Sequence, residues 1–173
     1  MGTATVRWIG GKQFVGIDST QHAVVLSTPA EGVGMKPSEL LLVALASCTA
    51  VDVVDILEKK RQPISSLEIS ASGEQDADPP WAYRKIHLHY ALCGQGLTEK
   101  AVSQAIQLSE EKYCSVSATL KGVATITTDF TLLSEEDQTP ASACPSRRPG
   151  RALAAVFISI SPFSPVLVPD RLL

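Results

Sequence analysis

Two stretches of the chain alternate apolar and polar residues, and two others repeat apolar residues at helical spacing. In residues 64–72, Leu67, Ile69 and Ala71 alternate with Glu68, Ser70 and Ser72, which predicts a strand with one buried face. Residues 83–93 repeat the pattern, with Ile86, Leu88, Tyr90 and Leu92 on one side. Residues 40–57 are apolar nearly all round, which predicts that the helix over 37–61, begun by Pro37 and stopped by Pro63, is buried on most sides. Glu39 is placed to cap its first turn, and Lys59, Lys60 and Arg61 suit its carboxyl end. Thr98 reads as the cap of a second helix over 99–113, where Ala101, Val102, Ala105, Ile106 and Leu108 share a face.

Shorter β-type runs complete the order. Residues 3–9 and 13–17 flank Gly10-Gly11-Lys12, a hairpin-like turn. Residues 23–26 form a third short strand, and the β-branched run 123–133 forms a last one. The order β-β-β-α-β-β-α-β has more hairpins than crossovers, so the expected class is α+β with antiparallel sheets.

Composition divides the chain near residue 133. Six of the eleven prolines fall in 134–173, which contains no lysine and is rich in Pro, Ser and Arg. The expected organisation is one domain over 1–133 and a poorly ordered extension over 134–173. A strand at 155–160, or a packing arm laid on a neighbouring subunit, are the alternatives for that extension. With 45% hydrophobic and 19% charged residues, the chain is neither disordered nor a coiled coil. A net charge of −3 argues against a nucleic-acid partner. The longest apolar run, 40–51, is about twelve residues and is followed by Asp52 and Asp55. A membrane span needs ~20, so a core helix of a cytoplasmic protein is expected. The N-terminus shows no signal-peptide pattern, and no nucleotide-binding or serine-hydrolase motif occurs.

The remaining chemistry lies in the cysteines. Cys48 stands in the middle of the first helix and Cys114 at the end of the second. On composition alone each reads as a small core residue. Cys93 and Cys144 read as bystanders, the first packed at a strand end and the second exposed in the extension. His87 and His89 alternate on one strand face, which is half a metal site at most. A solvated face beside Lys85 is the plainer reading, and no metal or cofactor site is expected.

The segment Pro37-Ser38-Glu39-Leu40, continuing through Ala44-Leu45-Ala46-Ser47-Cys48, resembles the cysteine helix of the OsmC/Ohr family. That family joins osmotically induced protein C to the organic hydroperoxide resistance proteins. Glu111-Lys112-Tyr113-Cys114-Ser115-Val116 is similar to the family's second cysteine motif. The stretches 50–57 and 108–116 point to its YhfA-like bacterial branch, and the resemblance covers residues 1–133. It implies an intertwined homodimer, two sheets wrapping central helices, with active sites at the subunit interface. It also implies that Cys48 attacks an organic hydroperoxide, that Cys114 resolves the product as a disulfide, and that a dithiol reductant restores both thiols.

The family's thiolate is held by a glutamate ten residues before the cysteine and by a hairpin arginine. Here those positions carry Ser38 and Lys12, with Arg7 a second cation nearby. Lysine keeps the charge without the planar fork of arginine. Asp52, one turn beyond Cys48, places a negative charge where a thiolate would form, and Trp81 and Tyr113 are candidates to line an apolar pocket. Two alternatives to the peroxidase reading follow: a noncatalytic dimer binding a small apolar ligand at the interface, or a thiol redox sensor.

Overall fold

The computed structural model describes residues 2–133. The expectations for 134–173, including Cys144 and a strand at 155–160, lie outside the described residues. The order is β1 (Ala4–Gly10), β2 (Gln13–Asp18), β3 (Ala23–Ser27), α1 (Pro37–Lys59), β4 (Ser66–Gln75), β5 (Tyr83–Cys93), α2 (Glu99–Leu108), α3 (Ser115–Leu120) and β6 (Thr125–Leu132). A π-helical turn, Ser109–Tyr113, joins α2 to α3. The fold is α+β with two separate three-stranded sheets, ordered β1-β2-β3 and β4-β5-β6.

The first sheet is an antiparallel meander. Its hairpin turns on Gly10 and Gly11, with φ of 120° and 52°, values that favour glycine. Glu31, from the loop after β3, fixes that turn. Its carboxylate accepts the Lys12 amide and the Gln13 side-chain amide, each at 3.1 Å. The Gln13 bond, then the Lys12 amide, hold the Glu31 carboxyl below its ordinary value. Most side chains of this sheet remain exposed or half-buried, Leu26 and Ser27 excepted.

The core lies against the second sheet. Ile86, Leu88, Tyr90 and Leu92 of β5 are at most 1% exposed, the face that alternation predicts. Across them lies α1, whose buried residues Leu45, Thr49, Val53 and Leu57 recur every fourth position, and α2 adds Ala101, Val102, Ala105 and Ile106. Only this stripe of α1 is buried; Leu41, Val43 and Val51 are exposed, Val51 at 66%. The expectation of burial on most sides therefore fails within one protomer. By length and composition α1 could also cross a membrane, with mean hydropathy 2.2 over its most apolar window, although its buried stripe belongs to the protein core.

Three further expectations are corrected. Strand β6 pairs with β5 in parallel, because α2, the π turn and α3 form a crossover between them and reverse nothing. Glu39 caps no amide; it pairs with Lys36 at 3.5 Å. The second helix stops being α-helical at Leu108, and a third begins at Ser115. Thr98 does cap α2, accepting the Ala101 amide at 3.3 Å.

Candidate functional site

The π turn determines where the second cysteine goes. The Cys114 amide donates to the Ser109 carbonyl at 2.8 Å, five residues back, and such wide turns concentrate at functional sites. Cys114 then takes an extended conformation and begins α3, its sulfur accepting the Ser117 amide at 3.3 Å. This turns its side chain towards α1. The Cys48 sulfur, the Cys114 sulfur and a carboxylate oxygen of Asp52 all lie within 4.8 Å of one another. Cys48 and Asp52 share one helix face because they are four residues apart. Both cysteines are free thiols, Cys48 half-buried and Cys114 buried.

Polar groups line this cluster from behind. Buried Ser109 donates its hydroxyl to Asp52 Oδ2 at 2.8 Å. The fully buried Tyr90 hydroxyl faces Thr49 without closing a well-formed bond. Burial, opposed by Thr49 and aided by the charges of Glu110, Cys114 and Asp52, pushes the Tyr90 phenol up to about 12. The Cys114 thiol is pushed up to about 11, first by burial and then by the neighbouring Cys48, against the amides of Ser117 and Val116. Desolvation therefore outweighs the amide donors.

The other expected residues lie apart from this cluster. Ser38 is ten residues before Cys48 on an unbroken helix, about 15 Å of rise, and its buried hydroxyl has no hydrogen-bond partner. It lines a cavity of about 720 Å³ with Leu41, Trp81, Tyr83, Arg84 and Val123. Trp81 thus borders an apolar pocket, whereas the half-exposed Tyr113 lies beneath the Lys112 ammonium, 5.4 Å from its ring centre. Lys12 and Arg7 stay on the first sheet, and neither joins an ion pair among the described residues. Cys93 is buried at the end of β5. His87 and His89 are only partly exposed and share Asp129, with His87 3.5 Å from its oxygen.

A second groove of about 650 Å³ runs between α1 and β4, lined by Leu42, Val43, Ala46, Ala50, Leu67 and Ile69. Sequence reasoning missed Ser109, Ser117, Tyr90 and Glu31. Ser109 and Asp52 are 57 positions apart, so no local pattern links them.

The family model described as OsmC-like protein matches residues 30–129, a span containing both cysteines. Protein YhfA of Escherichia coli (strain K12) is 34% identical over 127 residues, covering 73% of this chain and 95% of its own. The chain belongs to the OsmC-like family. Among solved structures, an OsmC-like protein from Mycoplasma pneumoniae superposes with a TM-score of 0.69 at 21% identity, covering 78% of this chain and 98% of that one. The organic hydroperoxide resistance protein OhrB of Bacillus subtilis superposes with a TM-score of 0.54 at 16% identity, over 76% and 98%. These two likenesses show a shared OsmC-like fold.

Proposed function

We propose that this OsmC-like protein is a cytoplasmic thiol-dependent reductase of organic hydroperoxides. Cys48 is the attacking residue and Cys114 the resolving one. The convergence of their two sulfurs within 4.8 Å carries the reading. A disulfide is ~2.05 Å long, so closing it takes at most about 2.8 Å of approach. The name of OhrB, an organic hydroperoxide resistance protein of the same fold, supports the substrate class.

The Cys48 thiolate attacks one peroxide oxygen, the O–O bond breaks, and the alkoxide leaves to take up a proton as alcohol. Cys48 is then a sulfenic acid. The Cys114 thiolate attacks its sulfur, an S–S bond forms, and the hydroxyl leaves as water after gaining a proton. A dithiol reductant is oxidised to its own disulfide and returns both thiols. Part of what raises the Cys114 thiol is the neighbouring Cys48. Cys48 acts there by a hydrogen bond and then by its charge; the charge is absent from the neutral sulfenic acid, so resolution eases once the first step is complete.

The working unit is a homodimer. The exposed Leu41, Val43 and Val51 of α1, and the sparsely buried first sheet, with Trp8 at 67%, are apolar surfaces that a second copy would cover. In that arrangement Lys12 or Arg7 of one protomer supplies the cation for Cys48 of the other. Residues 1–133 are the functional domain, and neither nucleic acid nor membrane is a partner.

A second reading has its own observation. Asp52 lies against the two thiols, where its charge disfavours thiolate, and apolar grooves flank α1. A noncatalytic dimer that binds a small apolar ligand, or a slow thiol sensor, would tolerate both. Stopped-flow consumption of cumene hydroperoxide by the wild type and by Cys48→Ser separates the readings. The peroxidase predicts loss of consumption in the variant and a Cys48–Cys114 disulfide by mass spectrometry. Equal rates would remove the catalytic claim, and a disulfide formed without turnover would leave the sensor.

A further inference from the structure

The two sulfurs and the Asp52 carboxylate form a constellation that redox chemistry alone does not require. We propose that Cys48, Cys114 and Asp52 together bind a soft divalent metal ion, zinc, in the reduced protein. Their ligand atoms already lie within 4.8 Å of one another. Zinc takes sulfur at ~2.3 Å and carboxylate oxygen at ~2.0–2.2 Å. The edges of such a tetrahedron are then about 3.5–3.8 Å, so a contraction of at most about 1.3 Å completes the set.

Hydrogen bonds from buried neighbours hold two of the three ligands in place. Ser109 donates to Asp52 Oδ2 at 2.8 Å, which orients the carboxylate and leaves its other oxygen to coordinate. The Ser117 amide donates to the Cys114 sulfur at 3.3 Å, as amides do to metal-bound thiolates. Both donors are fully buried residues and their positions are fixed by α3 and the π turn. Two sulfurs favour zinc over magnesium or calcium, which select oxygen. Asp52 joins no ion pair among the described residues, so a cation would be the counter-charge this cluster lacks. Three protein ligands leave a fourth position, on the half-buried Cys48 side, for water or a small ligand.

The site requires only that the thiols be reduced. It does not depend on hydroperoxide turnover, although an ion there occupies the sulfur that would attack. Binding transfers the two thiol protons to solvent and changes no oxidation state.

Cobalt(II) titration of the reduced full chain under anaerobic conditions is the test. The expected result is a thiolate-to-cobalt charge-transfer band with tetrahedral d–d bands, saturating at one ion per chain and bleached by zinc. Cys48→Ser should lose most of the band, and Asp52→Asn should weaken binding by at least ~10-fold. Absence of the band in the wild type, or a band unchanged in both variants, would overturn the site. Zinc protection of Cys48 against iodoacetamide, measured by peptide mass spectrometry, needs no variant; an unchanged alkylation rate also overturns it. A peroxide-induced Cys48–Cys114 disulfide without a cobalt band would remove the metal site and leave the redox reading. A band without any disulfide would sustain the metal site and remove the redox reading.

Discussion

The most demanding consequence of the site concerns the rate at which Cys114 resolves an oxidised Cys48. Its thiol stands at about 11 against an ordinary 9.0, mainly because it is buried. Only thiolate attacks the sulfenic sulfur, and at pH 7 a thiol of that acidity is ionised to about one part in 10⁴. A shift of two units lowers the thiolate fraction about 100-fold. The more basic thiolate is also the better nucleophile, and a Brønsted coefficient of about 0.4–0.5 returns roughly 6–10-fold. The net expectation is resolution about tenfold slower than for an ordinary cysteine at neutral pH. It should also accelerate about tenfold per pH unit between pH 7 and 9, about 100-fold in all. Loss of the Cys48 charge on oxidation lowers the starting value, but burial, the larger cause, persists. The assay mixes reduced protein with one equivalent of cumene hydroperoxide, quenches in acid, and quantifies the Cys48–Cys114 linked peptide across that range. Resolution independent of pH between 7 and 9 would show Cys114 already ionised at neutrality and refute the burial argument.

The same raised thiol makes a stability prediction. Below pH 9.0 folded and unfolded chains both hold the Cys114 proton. Between 9.0 and about 11 the unfolded chain releases it first, so stability falls as pH rises through that window, by on the order of 2 kcal/mol. Urea midpoints of the reduced protein and Cys114→Ala at pH 8 and 10.5 should fall further in the parent, since the raised Tyr90 phenol contributes a loss common to both. Leu45→Ala, in the fully buried stripe of α1, should cost about 3 kcal/mol in denaturant unfolding. Val51→Arg, at a position 66% exposed in the protomer, should leave the protomer folded and abolish the proposed homodimer, giving a monomer in sedimentation analysis. Lys12→Met should slow Cys48 oxidation about tenfold, because a neighbouring cation favours thiolate; an unchanged rate in stopped flow would exclude Lys12 as the cation.

How much of this was legible in the chain depends on the range of the interaction. The buried face of β5 follows from alternation, and the cap at Thr98 from one residue type beside a helical run. The parallel pairing of β6 is not local, since a strand carries no mark of its neighbour's direction. The π turn was invisible because its apolar spacing differs from an α-helix by one residue at one place. Helix α3 was missed for another reason: it is six residues long and begins at a cysteine, which is not a usual cap. Both cysteines could be chosen from the motifs around them, but their mutual approach needed the extra residue of the turn. The one-sided burial of α1 shows a different limit. An all-round apolar helix states that it must be covered without saying by which chain.

Charge ties these features together. The cluster holds two thiols and a carboxylate within 4.8 Å, and forming even one thiolate there sets two negative charges side by side. Like charges in contact disfavour the ionised thiol. Retaining Asp52 at such a site therefore calls for a cation. The cations of the hairpin, Lys12 and Arg7, lie on a sheet that buries little of itself in its own protomer, so within this scheme they reach a cysteine helix across a dimer interface. A divalent ion coordinated by the cluster removes the same repulsion from inside. The two solutions make opposite demands on Asp52. If the partner's cation serves the thiolate, Asp52→Asn quickens peroxide consumption. If the ion serves it, the substitution weakens cobalt binding by at least ~10-fold, whatever it does to metal-free turnover. Measuring both on one variant therefore decides which positive charge the site was built around.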